Sequence, residues 1–342
     1  MTTSRSNALG KYAPGSEGLF LPLLSYLEDP EVSEILINTP GEIWIERQGK
    51  FTSHAVHEFS VSHLHRLFTL IANENAQKIS AAYPLLSGSL FDGSRVQLSL
   101  PPVSQYPTMA IRRKVVRNFT LSDYARQHFY EQARPEKSHG EASLNELSSE
   151  DQLLVECYRE NRWDDFIKLA VKSKKNIVIS GGTSSGKTTF LNACLREISP
   201  EDRLIILEDT REIETPHRNQ VQLLASKGEQ GEARISMQDL VQCSLRLRPD
   251  RIIMGEIRGK EIMDFVSACS TGHEGSLTTI HAGSPRIAFM RMVQMYKLNN
   301  VPSMSDDDIF RELLEMIDVV IQINKTPMGR KVQGVYFKYG EA

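Results

Sequence analysis

Residues 176–195, NIVISGGTSSGKTTFLNACL, decide the fold of this chain. The stretch passes from an apolar run through a glycine-rich turn into a helix, an order typical of a strand, a phosphate-binding loop and its following helix. Within it, Gly181–Thr188 matches the spacing G-x-x-x-x-G-K-[ST]. From about Glu150 onward, helical segments alternate with apolar, strand-sized ones. This alternation predicts an α/β fold with a mainly parallel sheet.

The glycine-rich loop predicts a site for a nucleoside triphosphate. Glycines allow backbone N–H groups to crowd around phosphate oxygens, and the helix that begins near Lys187 points its positive dipole end at the same atoms. We expect Lys187 to contact the β- and γ-phosphates and the Thr188 hydroxyl to bind Mg²⁺. The predicted nucleotide-binding residues are Gly181, Gly182, Thr183, Ser184, Ser185, Gly186, Lys187, Thr188 and Thr189.

The residues after the loop disfavour several classes of P-loop protein. A regulatory GTPase needs a guanine-reading NKxD motif, whereas INKTP places Pro327 at the position of the Asp. A transporter ATPase needs a signature of the LSGGQ type, which the sequence lacks. A small-molecule kinase would leave the long amino-terminal third without a purpose. These three classes are therefore disfavoured.

Two further apolar segments end in acidic residues. RLIILEDTREIE (203–214) ends its apolar run at Glu208, and RPDRIIMGEIRG (248–259) ends its own at Gly255-Glu256. Open α/β sheets keep their chemistry at the carboxyl ends of their strands. We therefore predict that Glu256 orients or deprotonates the water that attacks the γ-phosphate. The alternative is that Glu256 only pairs with Arg258 or Arg251.

The same segments, taken together with STGHEGSLTTIHAGSP (270–285), resemble the secretion-ATPase superfamily of type II secretion, type IV pili and type IV secretion. Its four signatures occur in order, as a Walker A loop, an acidic Asp box, a Walker B strand and a His box, at Gly181–Thr188, Glu208–Glu212, Ile252–Glu256 and Gly272–Ala282. VSEILINTPGEIWIERQGKF (32–51) is similar to the opening domain of the type IV secretion and conjugation branch. The tetracysteine insert of type II motors is missing, and pilus-retraction motors are the nearer rival.

The resemblance implies ATP and Mg²⁺ as ligands and gives further residues a role. Glu208 is expected to hold Mg²⁺ through water, and the alternative is a surface charge that follows a strand. His281 is expected to contact the γ-phosphate or the attacking water and to report hydrolysis, and the alternative is plain packing near a strand end. His273 is a weaker candidate for the same task. In this superfamily a cation from the amino-terminal domain faces the nucleotide, which makes Arg95, Arg112 and Arg113 the candidates. An exposed basic strand edge is the alternative explanation of the last two.

The sequence pattern predicts an amino-terminal α+β domain at 1–130, a polar linker at 131–149 and a P-loop ATPase domain at 150–342, which we expect to be RecA-like. In the first domain we expect a hairpin around Pro40-Gly41, a helix over SVSHLHRLFTLIANEN (60–75) and two further strands at DGSRVQLSLPP (92–102) and TMAIRRKV (108–115). The linker is predicted because EQARPEKSHGEASLNELSS lacks hydrophobic periodicity.

Composition bounds the partners and the location. The net charge of −3 provides no global attraction to nucleic acid, so sequence-specific DNA or RNA binding is not expected, and a pump acting directly on DNA is disfavoured. The amino terminus has no signal-peptide core, the apolar runs are too short to span a bilayer, and four dispersed cysteines favour free thiols.

The resemblance then implies a homohexamer in the cytoplasm, peripheral to the inner membrane. Its partners would be the other components of a type IV secretion apparatus, and its substrate a secreted protein or a protein–DNA complex. ATP hydrolysis would drive assembly of the apparatus or pilus and translocation of that substrate. The alternatives are a type IV pilus or type II secretion motor, and a nucleotide-gated docking scaffold with little turnover.

Overall fold

The computed structural model describes residues 17–47, 49–113, 119–138, 143–225 and 235–341. These residues form two compact units. The first unit contains the described residues up to Arg113 together with Thr210–Glu212 and Ile235, and the second contains the rest.

The first unit is a six-stranded antiparallel sheet with one long helix. The strand order is β3-β2-β1-β6-β5-β4. Its elements are α1 (Glu17–Phe20), a 3-10 turn (Leu21–Leu23), α2 (Leu24–Leu27), β1 (Val32–Ile37), β2 (Glu42–Arg47), β3 (Lys50–Ala55), α3 (Val61–Glu74), β4 (Leu85–Ser89), β5 (Arg95–Ser99) and β6 (Thr108–Arg112).

Alternating apolar residues build the core of this unit. Ile35 and Ile37 of β1 lie fully buried beside Ile43 and Ile45 of β2, and the predicted helical stripe of α3 covers them. The hairpin expected around Pro40-Gly41 is confirmed, since β1 and β2 pair antiparallel on either side of it. The expected helix is confirmed, and so are the two later strands, at Arg95–Ser99 and Thr108–Arg112. Lys114 and Val115, at the end of the second expected strand, lie outside the described residues.

The second unit is an eight-stranded sheet with helices on both faces. The strand order is β10-β9-β11-β12-β8-β13-β14-β7. Its elements are α4 (Leu121–Arg126), β7 (Arg134–Pro135), a 3-10 turn (Leu144–Glu146), α5 (Ser149–Arg159), α6 (Trp163–Lys172), β8 (Ile177–Gly181), α7 (Lys187–Leu195), β9 (Leu204–Glu208), β10 (Gln220–Leu224), α8 (Met237–Ser244), a 3-10 turn (Leu245–Leu247), β11 (Arg251–Ile257), α9 (Glu261–Ser270), β12 (Leu277–Ile280), α10 (Pro285–Lys297), α11 (Asp306–Met316), β13 (Val319–Thr326) and β14 (Gly329–Phe337).

The expected α/β fold with a mainly parallel sheet is confirmed. All neighbouring strands of this sheet are parallel except β13 and β14, which form an antiparallel hairpin. The central strands are mostly apolar and buried because both faces of the sheet are covered. In β8, for example, Ile177 and Ile179 pack into one core cluster and Val178 into the other.

The boundary between the units differs from the one expected from the sequence. Apart from Thr210–Glu212 and Ile235, the described residues from Phe119 onward belong to the second unit. Helix α4 packs there through Leu121 and Tyr124. Part of the expected linker 131–149 is also built into this unit, since β7 pairs with β14. The segment lacks periodicity because it holds only a two-residue edge strand and turns. Residues 139–142 of the expected linker lie outside the described residues.

Neither a disulfide nor a spanning helix is found in the part of the chain that the structure describes. The four cysteines are free, as expected, with Cys157, Cys194 and Cys269 buried and Cys243 exposed. Burial raises the pKa of the Cys194 and Cys269 thiols. Among the described residues, no helix is both long and apolar enough to cross a membrane.

Candidate nucleotide site

The glycine-rich loop joins β8 to α7, with Gly181 as the last strand residue and Lys187 as the first helical one. Gly186 has φ +94°, a left-handed conformation that side chains rarely adopt. At Gly181 the limit is space, because a Cβ would lie 2.5 Å from both the Ile323 carbonyl oxygen and the Ser185 Oγ. The loop therefore needs these glycines for its shape.

A pair of alanine substitutions tests this account of the loop. Gly181→Ala forces the Cβ against a backbone carbonyl and is expected to lower the free energy of unfolding by about 1–3 kcal/mol. Gly182→Ala is the matched control, because a Cβ there meets nothing within 4 Å, and we expect a change below about 0.5 kcal/mol. Urea unfolding of both variants measures the difference, and equal losses would contradict the steric explanation.

Lys187, the first residue of α7, is almost buried, with 7% of its surface exposed. Its ammonium group donates to the carbonyl oxygens of Gly181 at 3.0 Å and Gly182 at 3.1 Å. The same Nζ lies 3.3 Å from Nδ1 of His281, which follows the carboxyl end of β12. A positive charge is thus held beside the glycine-rich loop.

His281 links this lysine to Glu256. Its Nε2 lies 2.9 Å from Glu256 Oε1. Burial lowers the pKa of His281; the nearby Lys187 and Arg258 lower it further, while Glu256 opposes them. The imidazole is accordingly neutral at neutral pH. The Lys187 Nζ also lies 3.5 Å from Nε2, so the ammonium group does not lie along the lone pair of Nδ1. The Nε2 contact with Glu256 fits the tautomer that carries its proton on Nε2.

Glu256 lies near the carboxyl end of β11, and its two oxygens have different surroundings. Oε2 accepts from Arg258, whose Nε is 2.8 Å away, and Arg258 also donates to Asp209. Oε1 is buried, faces His281, and receives no aligned hydrogen bond from the described parts of the chain. The alternative pairing with Arg258 therefore exists but occupies one oxygen only. Arg251 pairs elsewhere, with Asp202 at 2.7 Å.

Glu208 ends β9, beside Glu256 on the neighbouring strand β11. Its Oε1 accepts a hydrogen bond from the Ile213 N–H at 2.7 Å. A Cβ at Gly255 would lie 3.4 Å from the Glu208 Cγ, so Glu208 packs against the residue that precedes Glu256. Glu208 is buried, and its carboxylate is held in place by the backbone of the segment that follows it.

The oxygen atoms near the loop suit a Mg²⁺ ion that is bound partly by phosphate and water. They do not suit a metal ion that is bound by protein side chains alone. Within the described ranges, no group of three or more His, Cys, Asp or Glu side chains could hold a metal ion. Mg²⁺ is usually bound by one or two protein oxygens, several waters and the phosphates of the substrate. Thr188, the second residue of α7, and Glu208 offer such oxygens.

The two His-box histidines lie at opposite ends of strand β12. His273 precedes β12 and His281 follows it, and this strand of four residues spans about 13 Å. The His273 Nδ1 lies 3.3 Å from the Ala268 carbonyl oxygen, at the end of α9. Of the two histidines, it is therefore His281 that lies with Lys187 and Glu256.

The three candidate arginines lie in the first unit. Arg95 Nε is 2.7 Å from Glu212 Oε1, and Arg112 is the register partner of Arg95 across β5 and β6. Arg113 donates to the carbonyl oxygens of Asp29 and Val32, which fastens the start of β1. The catalytic role of these arginines stays a prediction.

Arg330 was not singled out by the sequence, and Arg258 was named there only as a possible pairing partner of Glu256. Arg258 holds Glu256 and Asp209 together, and Arg330 of β14 donates through Nε to the Ser184 carbonyl oxygen at 3.1 Å. For Arg258 the signal was its position two residues after Glu256. Arg330 is 146 residues from Ser184, and no local pattern connects the two.

A family model described as "Type II/IV secretion system protein" matches residues 144–324. The chain belongs to this family. It is 34% identical over 325 residues to the type IV secretion system protein VirB11 of Brucella suis, covering 92% of this chain and 88% of that protein. It is 32% identical over 330 residues to PtlH of Bordetella pertussis, covering 92% and 93%. The crystal structure of the Brucella suis VirB11 ATPase with sulphate matches at TM-score 0.53 and 32% identity, covering 94% and 97%.

The resemblance expected from the four motifs is thereby confirmed. The chain is a member of the secretion ATPases, and both VirB11 and PtlH belong to type IV secretion systems. Membership carries nucleotide binding with it, in keeping with the loop geometry. The family match begins at residue 144, and similarity to the two curated relatives extends over most of the chain.

Proposed function

We propose that this chain hydrolyses ATP as a homohexamer and uses the reaction to drive assembly of a type IV secretion apparatus and transfer of its substrate. The observation that carries the proposal is the meeting of Lys187, His281 and Glu256 beside the phosphate-binding loop. A loop that only bound a nucleotide would need Lys187 but would need neither His281 nor Glu256. A carboxylate oxygen that receives no aligned hydrogen bond from the described residues favours hydrolysis, because it can accept one from water.

Each residue has a task in this reaction. Lys187 neutralises charge on the β- and γ-phosphates as the terminal phosphoryl group leaves. Glu256 uses Oε1 to orient the attacking water and accept its proton, while Arg258 fixes the carboxylate through Oε2. His281 contacts both Lys187 and Glu256, so loss of the γ-phosphate changes the charge beside its ring. A neutral imidazole can donate a hydrogen bond from one ring nitrogen and accept one at the other, so we assign to His281 the task of sensing the γ-phosphate.

Thr188 and Glu208 would hold Mg²⁺, the glutamate through water. When bound, the ion neutralises negative charge on the phosphate oxygens. The chain's own contribution is the carboxylate of Glu208, which the Ile213 N–H keeps in a fixed orientation.

The proposed setting is the cytoplasmic side of the inner membrane, with the other components of a type IV secretion apparatus as partners and a secreted protein or protein–DNA complex as substrate. The support is the type IV secretion assignment of relatives aligned over 92% of this chain.

Solution mass measured beside phosphate release tests the proposal. With Mg²⁺ and a slowly hydrolysed ATP analogue, light scattering should give a mass six times that of one chain. With Mg-ATP, the protein should release phosphate, and EDTA should abolish the release. A monomer at all concentrations would contradict the ring. A six-chain ring that releases no phosphate would contradict the hydrolase and favour a docking scaffold.

A further inference from the structure

The strand order fixes the direction in which a bound nucleotide runs. The loop follows β8, which lies between β12 and β13 in the sheet. His281 and Glu256, at the ends of β12 and β11, lie on the β12 side, and Lys187 reaches toward them. Under the proposed function the γ-phosphate therefore faces the β12 side. The nucleoside must leave the loop on the opposite side, toward β13.

The hairpin of β13 and β14 lies on that opposite side. β13 pairs with β8 as far as Gly181, so its remaining residues extend past the end of β8, alongside the loop. Arg330 ties the hairpin to the loop through the Ser184 carbonyl oxygen, and its Cδ would lie 3.2 Å from a Cβ at Gly186. The hairpin therefore lies against the loop, on the side toward which the nucleoside leaves.

An apolar side chain stands at the tip of the hairpin. Met328 is 67% exposed, the largest value among the large apolar side chains that the structure describes. The turn that carries it is fixed, because the Thr326 Oγ1 donates to the Gly329 carbonyl oxygen at 2.9 Å and accepts from the Met328 N–H at 3.2 Å. Single exposed apolar side chains are common on protein surfaces, so the exposure of Met328 is relevant only because the hairpin that carries it lies beside the loop.

A polar side chain from a distant part of the chain lies against Met328. Gln132 Nε2 is 3.7 Å from the Met328 Sδ. The segment before Gln132 is fastened to β14, because the buried Lys331 donates to the His128 carbonyl oxygen at 2.8 Å and pairs with Glu131 at 2.7 Å. Gln132 and Met328 therefore keep a fixed spacing.

We propose that Met328 and Gln132 form the base-binding subsite for the adenine of ATP. The proposal rests on the proposed function. A polarizable thioether packs well against an aromatic face, and a carboxamide offers one donor and one acceptor side by side. The adenine edge offers the complementary acceptor and donor. Met328 supports the face of the base and Gln132 reads its edge.

Binding of ATP and of inorganic tripolyphosphate to the full chain separates the base from the phosphates. We expect Met328→Asp to raise the Kd for Mg-ATP about tenfold and to leave the Kd for tripolyphosphate unchanged, because the lost contact is with the base. Met290→Asp is the control, since Met290 is also exposed, at 51%, but lies on α10. An unchanged Kd for ATP, or equal weakening of both ligands, would overturn the subsite.

Selectivity between ATP and GTP tests Gln132 separately. A glutamate can only accept hydrogen bonds, which suits the two N–H groups on the guanine edge and not the mixed edge of adenine. Gln132→Glu should therefore lower the ratio of ATP to GTP affinity about tenfold, and the added negative charge cancels because both ligands are triphosphates. An unchanged ratio would remove Gln132 from the subsite.

Binding by the wild-type protein separates a failure of the proposed function from a failure of the base-binding subsite alone. If it binds neither ATP nor tripolyphosphate, the proposed function fails and the subsite with it. If it binds both with the same affinity, the phosphate site stands and the base-binding subsite is refuted. Tighter binding of ATP than of tripolyphosphate supports the subsite.

Discussion

Replacing Glu256 with glutamine is expected to lower kcat for ATP hydrolysis about 10²- to 10⁴-fold, the usual contribution of a general base. Glutamine keeps the size of the side chain and an oxygen that can accept from Arg258, but it cannot take the proton of the attacking water. The Kd for ATP should stay within roughly threefold of the wild type, because the lost interaction belongs to the transition state. Single-turnover phosphate release and equilibrium nucleotide binding measure the two quantities.

A matched control for this substitution lies in the His box. Glu274 is exposed and precedes β12, at the sheet edge opposite to Glu256. Glu274→Gln makes the same chemical change and should leave kcat unchanged. If Glu256→Gln and Glu274→Gln lower kcat equally, or if neither does, Glu256 is not the base.

The Glu256→Gln variant also separates a motor from a scaffold in cells. A motor needs the free energy of hydrolysis, so secretion should stop even though the variant still binds ATP. A docking scaffold needs binding only, and secretion should then continue. Sustained secretion by a variant with proven loss of turnover would overturn the coupling that we propose.

The parts of the fold predicted from the sequence are those that depend on neighbours along the chain. The loop at Gly181–Thr188 needs its own glycines, and the hairpin at Pro40-Gly41 needs its own turn residues. The strand ends at Glu208 and Glu256 followed from apolar runs that stop at an acid. Each of these signals spans fewer than about 15 residues, the range over which periodicity acts.

Contacts between distant residues left no such signal. Tyr158 donates through its hydroxyl to the Val335 carbonyl oxygen at 2.7 Å and accepts from the Glu136 N–H at 3.1 Å, which fixes part of the expected linker against β14. The partner residues are not close in sequence, so polarity and missing periodicity alone suggested a free connection. The sequence therefore predicts a start of the second unit that is later in the chain than the start in the structure.

The His box shows why spacing alone does not place a side chain. His273 and His281 are eight positions apart, and the sequence made both of them candidates for the nucleotide. Strand β12 lies between them, so the two histidines are at opposite ends of this strand and only His281 is near the loop. In the same way, Arg251 and Arg258 begin and follow β11, and of these two it is Arg258 that contacts Glu256.

Replacing Lys187 with alanine is expected to weaken binding of Mg-ATP roughly 30-fold to several thousandfold. The side chain is nearly buried, and truncating one member of a buried, hydrogen-bonded charge pair costs about 2–5 kcal/mol of binding free energy. Hydrolysis at fixed ATP should fall by at least the same factor. Isothermal titration with ATP and with tripolyphosphate measures the loss, which should be equal for the two ligands because Lys187 contacts phosphate only.

The loop contacts of Lys187 call for a control, because its ammonium group also donates to Gly181 and Gly182. Lys187→Arg retains the positive charge but replaces a compact ammonium with a planar fork, which fits a narrow loop poorly. We expect Lys187→Arg to bind ATP more tightly than Lys187→Ala and to hydrolyse it far more slowly than the wild type. If Lys187→Ala unfolds at the wild-type urea concentration and still binds ATP with wild-type affinity, the phosphates do not lie at the start of α7. The roles of Glu256 and His281 would then fall as well, since both depend on where Lys187 holds the γ-phosphate.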